Sequence, residues 1–494
     1  MSVHGGYYPT SKIASNWTQA TNWSIQGVTL GGWLVTEPYI TPSLYNQAIE
    51  IAGNETGPSI VDEYTLCSVL SKSTAKDLLS KHYKSWVKES DFKEIKEEGF
   101  NLVRIPIGYW AWKKGDDLYD FGFTNITYED PYVADGLQLA YLNKAMEWSA
   151  KYGLKVWLDL HGAPASQNGF DNSGQRNLYG TPGWLSKEFT GELMFQLLQS
   201  VFHSVRDGEY GDNVVGIEVV NEPLGDKIGM EKVEYFYQMT FQMFEGILGR
   251  NESVSMVVHD AFQAAGYWDE YFNPEYSQEL PGNFSYSHTS ASYDSVVVDH
   301  HHYEVFSDGQ LANSRDTRLE DILQYANGLG AEQPYHPAVV GEWSGAITDC
   351  ATWVNGVGVG VRYDGSYYHT TRFNSSLATR PLGKCTSQLP IANWTEEYRV
   401  QVREFVEAQL LAYSNATDGW IFWNWKTESA PEWDYKQLAG AGLFPQPFDN
   451  YTFYFANGTR NPGGALPSRN AAHAVGACRA LVAAAVALVV LYFT

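Results

Sequence analysis

The run VVGIEVVNEP (residues 214–223) is rich in valine and ends in a polar pair, Asn221 and Glu222. A short, nearly continuous apolar run of this kind reads as a strand over 214–220, buried on both faces of a parallel sheet. Seven further segments read as strands: Ile25–Leu30, Leu102–Pro106, Lys155–Leu160, Met256–His259, Val296–His301, Ala338–Gly341 and Gly419–Trp423. Helical patterns separate most of them, over Lys76–Glu98, Leu137–Tyr152, Lys187–Tyr210, Glu231–Leu248, Leu319–Leu329 and Thr395–Ser414. The link after the fifth strand is poorly helical, and no clear helix follows the eighth. Eight βα units predict the α/β class, a (β/α)8 TIM barrel forming a single catalytic domain over residues 25–460. Residues 1–24 read as an N-terminal extension, 461–479 as a spacer and 480–494 as a hydrophobic tail.

The composition allows a large core and excludes wholesale disorder: 44% of the 494 residues are hydrophobic and 18% charged. The net charge of −24 with no basic cluster repels a phosphate backbone, so nucleic acid is not an expected partner. The 73 aromatic residues fit a protein that stacks against sugar rings. Eleven N-x-S/T sequons, at Asn16, Asn22, Asn54, Asn125, Asn251, Asn283, Asn374, Asn393, Asn415, Asn450 and Asn457, point to the secretory pathway.

Ala480–Phe493 is apolar almost to the last residue and lacks a basic flank, while small residues precede a short spacer upstream. That is the layout of a glycosylphosphatidylinositol (GPI) attachment signal, with Asn470 as the attachment residue and Ser468 and Gly464 as neighbouring choices. The membrane is then a partner only through a lipid anchor, and the expected location is secreted or cell-surface. Residues 1–20 show no signal peptide, which conflicts with such a tail and reads as a start that is missing or altered. Cys350 and Cys385 are the expected disulfide pair, Cys478 leaves with the tail, and Cys67 is left as a free thiol.

In a barrel of this kind the chemistry sits at the carboxyl ends of the strands. Those ends carry Arg104, His161, Asn221–Glu222, His301 and Tyr303, Glu342 and Trp423. Two carboxylates in one barrel mouth, Glu222 and Glu342, read as the acid and the ionised carboxylate of glycoside hydrolysis. Arg104 and Tyr303 are expected to keep Glu342 ionised, and a neighbouring negative charge to keep Glu222 protonated. A separation of about 5 Å, hence retention of configuration, is expected. Asn221 is placed to bind the sugar 2-hydroxyl. Within HHH (300–302) neighbouring side chains alternate faces, so if His301 lines the site the other two look away; no metal site and no cofactor are expected.

The stretches VTLGGWLVTEPYITPSLY (28–45), RIPIGYW (104–110), DLHGAPASQNGFDNSG (159–174), VVNEP (219–223), HHYEVF (301–306), GEWS (341–344) and FWNWKTESAPEW (422–433) resemble those of the fungal exo-β-1,3-glucanases of glycoside hydrolase family 5. The resemblance runs from about residue 25 to 447. It implies Glu222 as acid/base and Glu342 as nucleophile. It further implies that Glu37, Arg104, His161, Asn221, His301, Tyr303 and Trp423 hold the terminal glucose, and that Phe170 and Phe306 clamp the next one. Ala165 stands where the family usually has glycine, and Asn424 where it has a small residue. The implied partner is β-1,3-glucan, acted on by a monomer that releases glucose from chain ends or transfers it to another sugar. The competing readings are a non-catalytic glucan-binding wall protein and an endo-acting β-glucanase or mannanase of the same clan.

Overall fold

The computed structural model describes residues 24–466, apart from 134–135, 188, 250–252, 272–276, 281–283, 288–294, 388–389 and 456. Asn470, the apolar tail, Cys478 and the sequons at Asn16, Asn22, Asn251 and Asn283 lie outside the described residues.

Eight parallel strands close into a barrel. They are β1 (Ile25–Thr29), β2 (Leu102–Gly108), β3 (Lys155–Gly162), β4 (Val214–Glu218), β5 (Ser255–His259), β6 (Val296–His302), β7 (Ala338–Trp343) and β8 (Gly419–Phe422). Closure comes from β1, which pairs with β2 through Gly27↔Leu102 and with β8 through Ile25↔Gly419. All eight predicted strands are present, because each apolar run is buried on both faces.

The helices depart from expectation in more than one place, beginning with unpredicted helices over Pro42–Thr56 and Glu63–Val69. The segment expected as one helix over 76–98 is two, α1 (Lys72–Trp86) and α2 (Glu89–Glu97). Asp91 causes the break: its carboxylate accepts from the Lys88 backbone N–H at 2.8 Å, capping α2, while Trp425 Nε1 and Lys426 Nζ each reach it at 2.9 Å. The remaining wall helices are α3 (Leu137–Tyr152), α4 (Thr190–Arg206), α5 (Met230–Leu248), α6 (Arg315–Glu332) and α7 (Glu396–Ala416). The poorly helical link after β5 carries a two-stranded hairpin, Ser277–Leu280 with Phe284–Ser287.

Inside the barrel, one residue from each strand forms a dry ring: Ile25, Leu102, Trp157, Val215, Val257, Val297, Val339 and Ile421. One step toward the carboxyl ends the filling changes to Arg104, Asp159, Glu218 and Asp299, all fully buried. Two register shifts set which side chains reach that upper level. Between β3 and β4, Val156 pairs with Val214 but Trp157 with Gly216; between β6 and β7, His300 pairs with Val340 but His301 with Glu342. Each shift reverses the inside–outside alternation, so Glu218 and Glu342 point inward. The second shift falls on Gly341, whose N–H donates to Asp299 at 2.7 Å. A Cβ there would lie 2.1 Å from the same carboxylate, which is why only glycine fits.

Candidate active site

The two strand-end carboxylates meet at the mouth. Glu342 ends β7, where Arg104 Nη1 donates to it at 2.6 Å and the Tyr303 hydroxyl at 2.9 Å. Glu222 follows β4 in the left-handed region, at φ 46°, a conformation that costs a non-glycine residue about 1–3 kcal/mol. Its surroundings enforce that conformation. The Asn221 N–H donates to Leu160, the Leu224 N–H to Gln167, and Gln167 Nε2 to the Asn221 carbonyl.

His301 stands between the acids. Its Nδ1 is 2.9 Å from Glu222 and 3.4 Å from Glu342, and its Nε2 is 3.4 Å from Asp299. The facing carboxylate oxygens are therefore no more than about 6.3 Å apart, close enough for the two acids to flank one glycosidic bond. Asn172 Nδ2 donates to the other Glu222 oxygen at 2.8 Å.

Arg104 is surrounded by acids. Besides Glu342 it reaches Glu218 through Nε at 3.0 Å and Nη2 at 2.8 Å, Asn221 at 2.8 Å and Asp159 at 3.2 Å. The protonation pattern differs from the sequence expectation. Burial by itself raises the Glu222 carboxyl, but the hydrogen bond and charge of His301 overcome it and bring Glu222 down to about 2. Burial opposes the charge on His301 too, yet Glu342, Asp299 and Glu222 around the ring hold it well above the ordinary imidazole range. The proton of the acid–imidazole pair thus rests on His301 rather than on Glu222. Burial raises Glu342 and the Glu222 charge adds to this, with His301 and Arg104 opposing both.

The residues expected to bind or act on the sugar gather in this neighbourhood. Glu37, Phe170, Glu222, His301, Tyr303, Phe306, Glu342 and Trp423 line one pocket of about 510 Å³. His161 lies parallel to Trp423 with ring centres 5.5 Å apart, and its Nδ1 is held by Asp159 at 2.6 Å. Glu37 Oε1, His161 Nε2 and Asn221 Nδ2 are buried polar atoms without a hydrogen-bond partner in the protein, a capacity suited to ligand hydroxyls. Phe170 and Phe306 stay 36% and 41% exposed, which leaves their faces open at the pocket entrance. A larger hollow of about 790 Å³, between Trp112, Phe123 and Tyr210, is lined by none of these residues.

The two departures from the family strings are both accommodated, the first at the cost of backbone strain. Ala165 sits at φ 63°, which explains why glycine is usual there. The Asn424 side chain accepts from the Gly31 N–H at 3.0 Å, tying the end of β8 to the β1 loop. Cys350 and Cys385 are disulfide-bonded and Cys67 is buried and free.

A family model described as "Cellulase (glycosyl hydrolase family 5)" matches residues 62–357. The chain belongs to glycosyl hydrolase family 5. It is 52% identical over 454 residues to "Glucan 1,3-beta-glucosidase 2" of Saccharomyces cerevisiae, covering 91% of this chain and 80% of that one. It is 42% identical over 458 residues to "Glucan 1,3-beta-glucosidase 2" of Candida albicans, covering 91% and 89%. Among solved structures, a rutinosidase from Aspergillus niger superposes with a TM-score of 0.55 at 20% identity, over 86% of this chain and 98% of that one, a likeness of fold alone.

Several parts of this family 5 site escaped the sequence reading. Asp159 and Asp299 lie two residues before His161 and His301 on the same inward faces, so alternation alone could have found them. Glu218 could not be found that way, because the register shift in β4 reverses its side. Tyr39, whose hydroxyl accepts from Trp423 Nε1, sits in a turn and Asn172 in a single 3-10 turn, neither with a periodic signal. Tyr367 and Phe373 come to the pocket from the segment closed by the disulfide.

Proposed function

We propose that this chain hydrolyses β-1,3-glucan from its non-reducing ends, releasing glucose with retention of configuration, as a glucan 1,3-β-glucosidase. The observation that carries the reading is the pair Glu222 and Glu342 bracketing His301 Nδ1 at the barrel mouth. The names of the relatives, which cover nearly the whole chain, support the substrate.

In this reading the terminal glucose is held by Glu37, His161, Asn221 and Trp423, and the next by Phe170 and Phe306. Glu342, oriented by Arg104 and Tyr303, attacks the anomeric carbon and forms the glycosyl-enzyme. The leaving oxygen takes its proton from Glu222, which is supplied by His301 Nδ1 as the developing negative charge draws the proton across. Glu222 then deprotonates water for the second displacement. A sugar hydroxyl held by the Phe170–Phe306 clamp can replace water, giving transfer.

Secretion and a GPI anchor at Asn470 belong to the same proposal. Asn54, Asn125, Asn374, Asn393, Asn450 and Asn457 are exposed sequons, and a disulfide fits an oxidising compartment. Among the described residues no helix is long and apolar enough to cross a membrane.

The test is proton NMR of linear β-1,3-glucan from the moment of mixing. Early β-glucose as the main product is expected. A ladder of internal fragments would replace the reading with an endo-acting one, and early α-glucose would overturn retention.

A further inference from the structure

The pocket wall carries more aromatic rings than the Phe170–Phe306 clamp uses. Tyr179, from the β3–α4 connection, and Tyr367 and Phe373, from the segment closed by the Cys350–Cys385 disulfide, line the same pocket as Glu222 and Glu342. Phe373 is the middle ring of the three. Its centre lies 6.1 Å from that of Tyr367 at an interplanar angle of 15°, and 6.3 Å from that of Tyr179 at 37°. Phe373 is 53% exposed and Tyr179 47%, so both are more open than either clamp ring.

A lone exposed ring is ordinary on a protein surface, whereas neighbouring exposed rings beside a pocket mark a binding surface. These rings are also held in place. The Arg362 guanidinium carbon sits 4.0 Å from the centre of Tyr367, and that of Arg372 4.6 Å from the centre of Tyr179. The buried Asp349 carboxylate pins the backbone of the segment, accepting from the Arg362 and Tyr363 N–H groups at 2.8 and 3.0 Å and from Asn355 Nδ2 at 2.9 Å. Asp308, two residues beyond Phe306, accepts from the Tyr368 hydroxyl and from Ser375 Oγ, so the Phe373 segment and the clamp share a support. Arg176 Nη1 donates to the Val357 carbonyl at 2.8 Å and joins the connection that carries Tyr179 to the same segment. Rings fixed in this way lose little freedom when a ligand stacks on them.

We propose that Phe373 and Tyr179, with Tyr367 stacked against Phe373, form a further glucose-binding subsite beyond the clamp, taking chain units past the second. The inference rests on the reading of the pocket as a β-1,3-glucan site and adds a chain-length preference to it. The occupant is the continuation of the chain whose end the pocket holds: the C–H faces of a β-linked glucose ring are apolar and stack on an aromatic face, while its hydroxyls stay in water. Contacts with units remote from the cleaved bond favour long chains over short ones without any change in the reacting groups.

The test uses the full chain with its N-glycans trimmed, because the exposed sequon Asn374 adjoins Phe373. Initial rates of glucose release give kcat/KM for the β-1,3-linked glucose dimer and pentamer, and the readout is the pentamer-to-dimer ratio. Phe373→Ala should lower that ratio by about 3–10-fold, Tyr179→Ala should lower it less, and Phe373→Tyr, which keeps a ring, should preserve it. A ratio unchanged in both alanine variants would overturn the proposal. So would an equal loss on dimer and pentamer, which marks a structural role. If the unaltered enzyme turned over neither oligosaccharide, the β-1,3-glucanase reading itself would fall, and the subsite with it.

Discussion

The barrel interior is built at two levels that differ in almost every property. The lower ring takes one apolar side chain from each strand, Ile25 through Ile421, and is dry. The upper level holds Arg104 against Asp159, Glu218 and Glu342, with Asp299 against His301. In the lower ring each residue contributes stability mainly by apolar area removed from water. The upper level works as a unit, because burying its acids is tolerable only with the one guanidinium and the imidazole in place. The same strands thus carry stability at one end and reactivity at the other, and substitutions at the two levels should fail differently.

The largest effect is expected at the top. Glu342→Gln should lower kcat by more than the roughly 10²–10⁴-fold expected of Glu222→Gln, with the folded state intact. Single-turnover measurement with an activated aryl glucoside checks the order, since a good leaving group should rescue the first step in Glu222→Gln and not in Glu342→Gln. Equal rescue of both would break the assignment of the two roles.

Next comes Arg104→Met. It strands several buried carboxylates at once, and denaturant unfolding should show a loss of about 3–5 kcal/mol together with loss of activity. Loss of activity without loss of stability would mean that the upper level is not coupled as described. Ile421→Ala, in the lower ring, should cost about 2–5 kcal/mol in the same unfolding assay and leave KM unchanged. A changed KM there would erase the distinction between the levels.

The smallest effect is a shift in pH dependence. In the free enzyme the proton for the leaving group sits on His301, whose pKa is held above the ordinary value, so the alkaline limb of kcat/KM should follow His301. In His301→Asn that limb should move to lower pH, because Glu222 must then hold the proton unaided. For stability the sign is separate. Glu222, depressed to about 2, contributes above the unfolded carboxylate pKa, and its contribution fades as pH falls from about 4 toward 2. Glu222→Gln should flatten that part of the unfolding profile, and an unchanged slope would mean that His301 does not hold Glu222 ionised.

What could be read from the chain directly follows from patterns repeated along it. Runs such as VVGIEVV and VVVDH are apolar because both faces of a parallel strand are buried, so all eight strands, and the strand-end positions of Glu222 and Glu342, were legible. Alternation alone also assigned the faces of His300, His301 and His302, since adjacent side chains in a strand must diverge. Tertiary structure decided whatever depended on a partner distant in sequence. The register shifts that turn Glu218 and Glu342 inward exist only between paired strands. The break between α1 and α2 follows from Asp91 meeting Trp425 and Lys426, more than 300 residues away. The protonation of Glu222 was reversed for the same reason: a pKa is set by what stands within a few ångströms, and the sequence names His301 without saying that it lies 2.9 Å from that carboxylate.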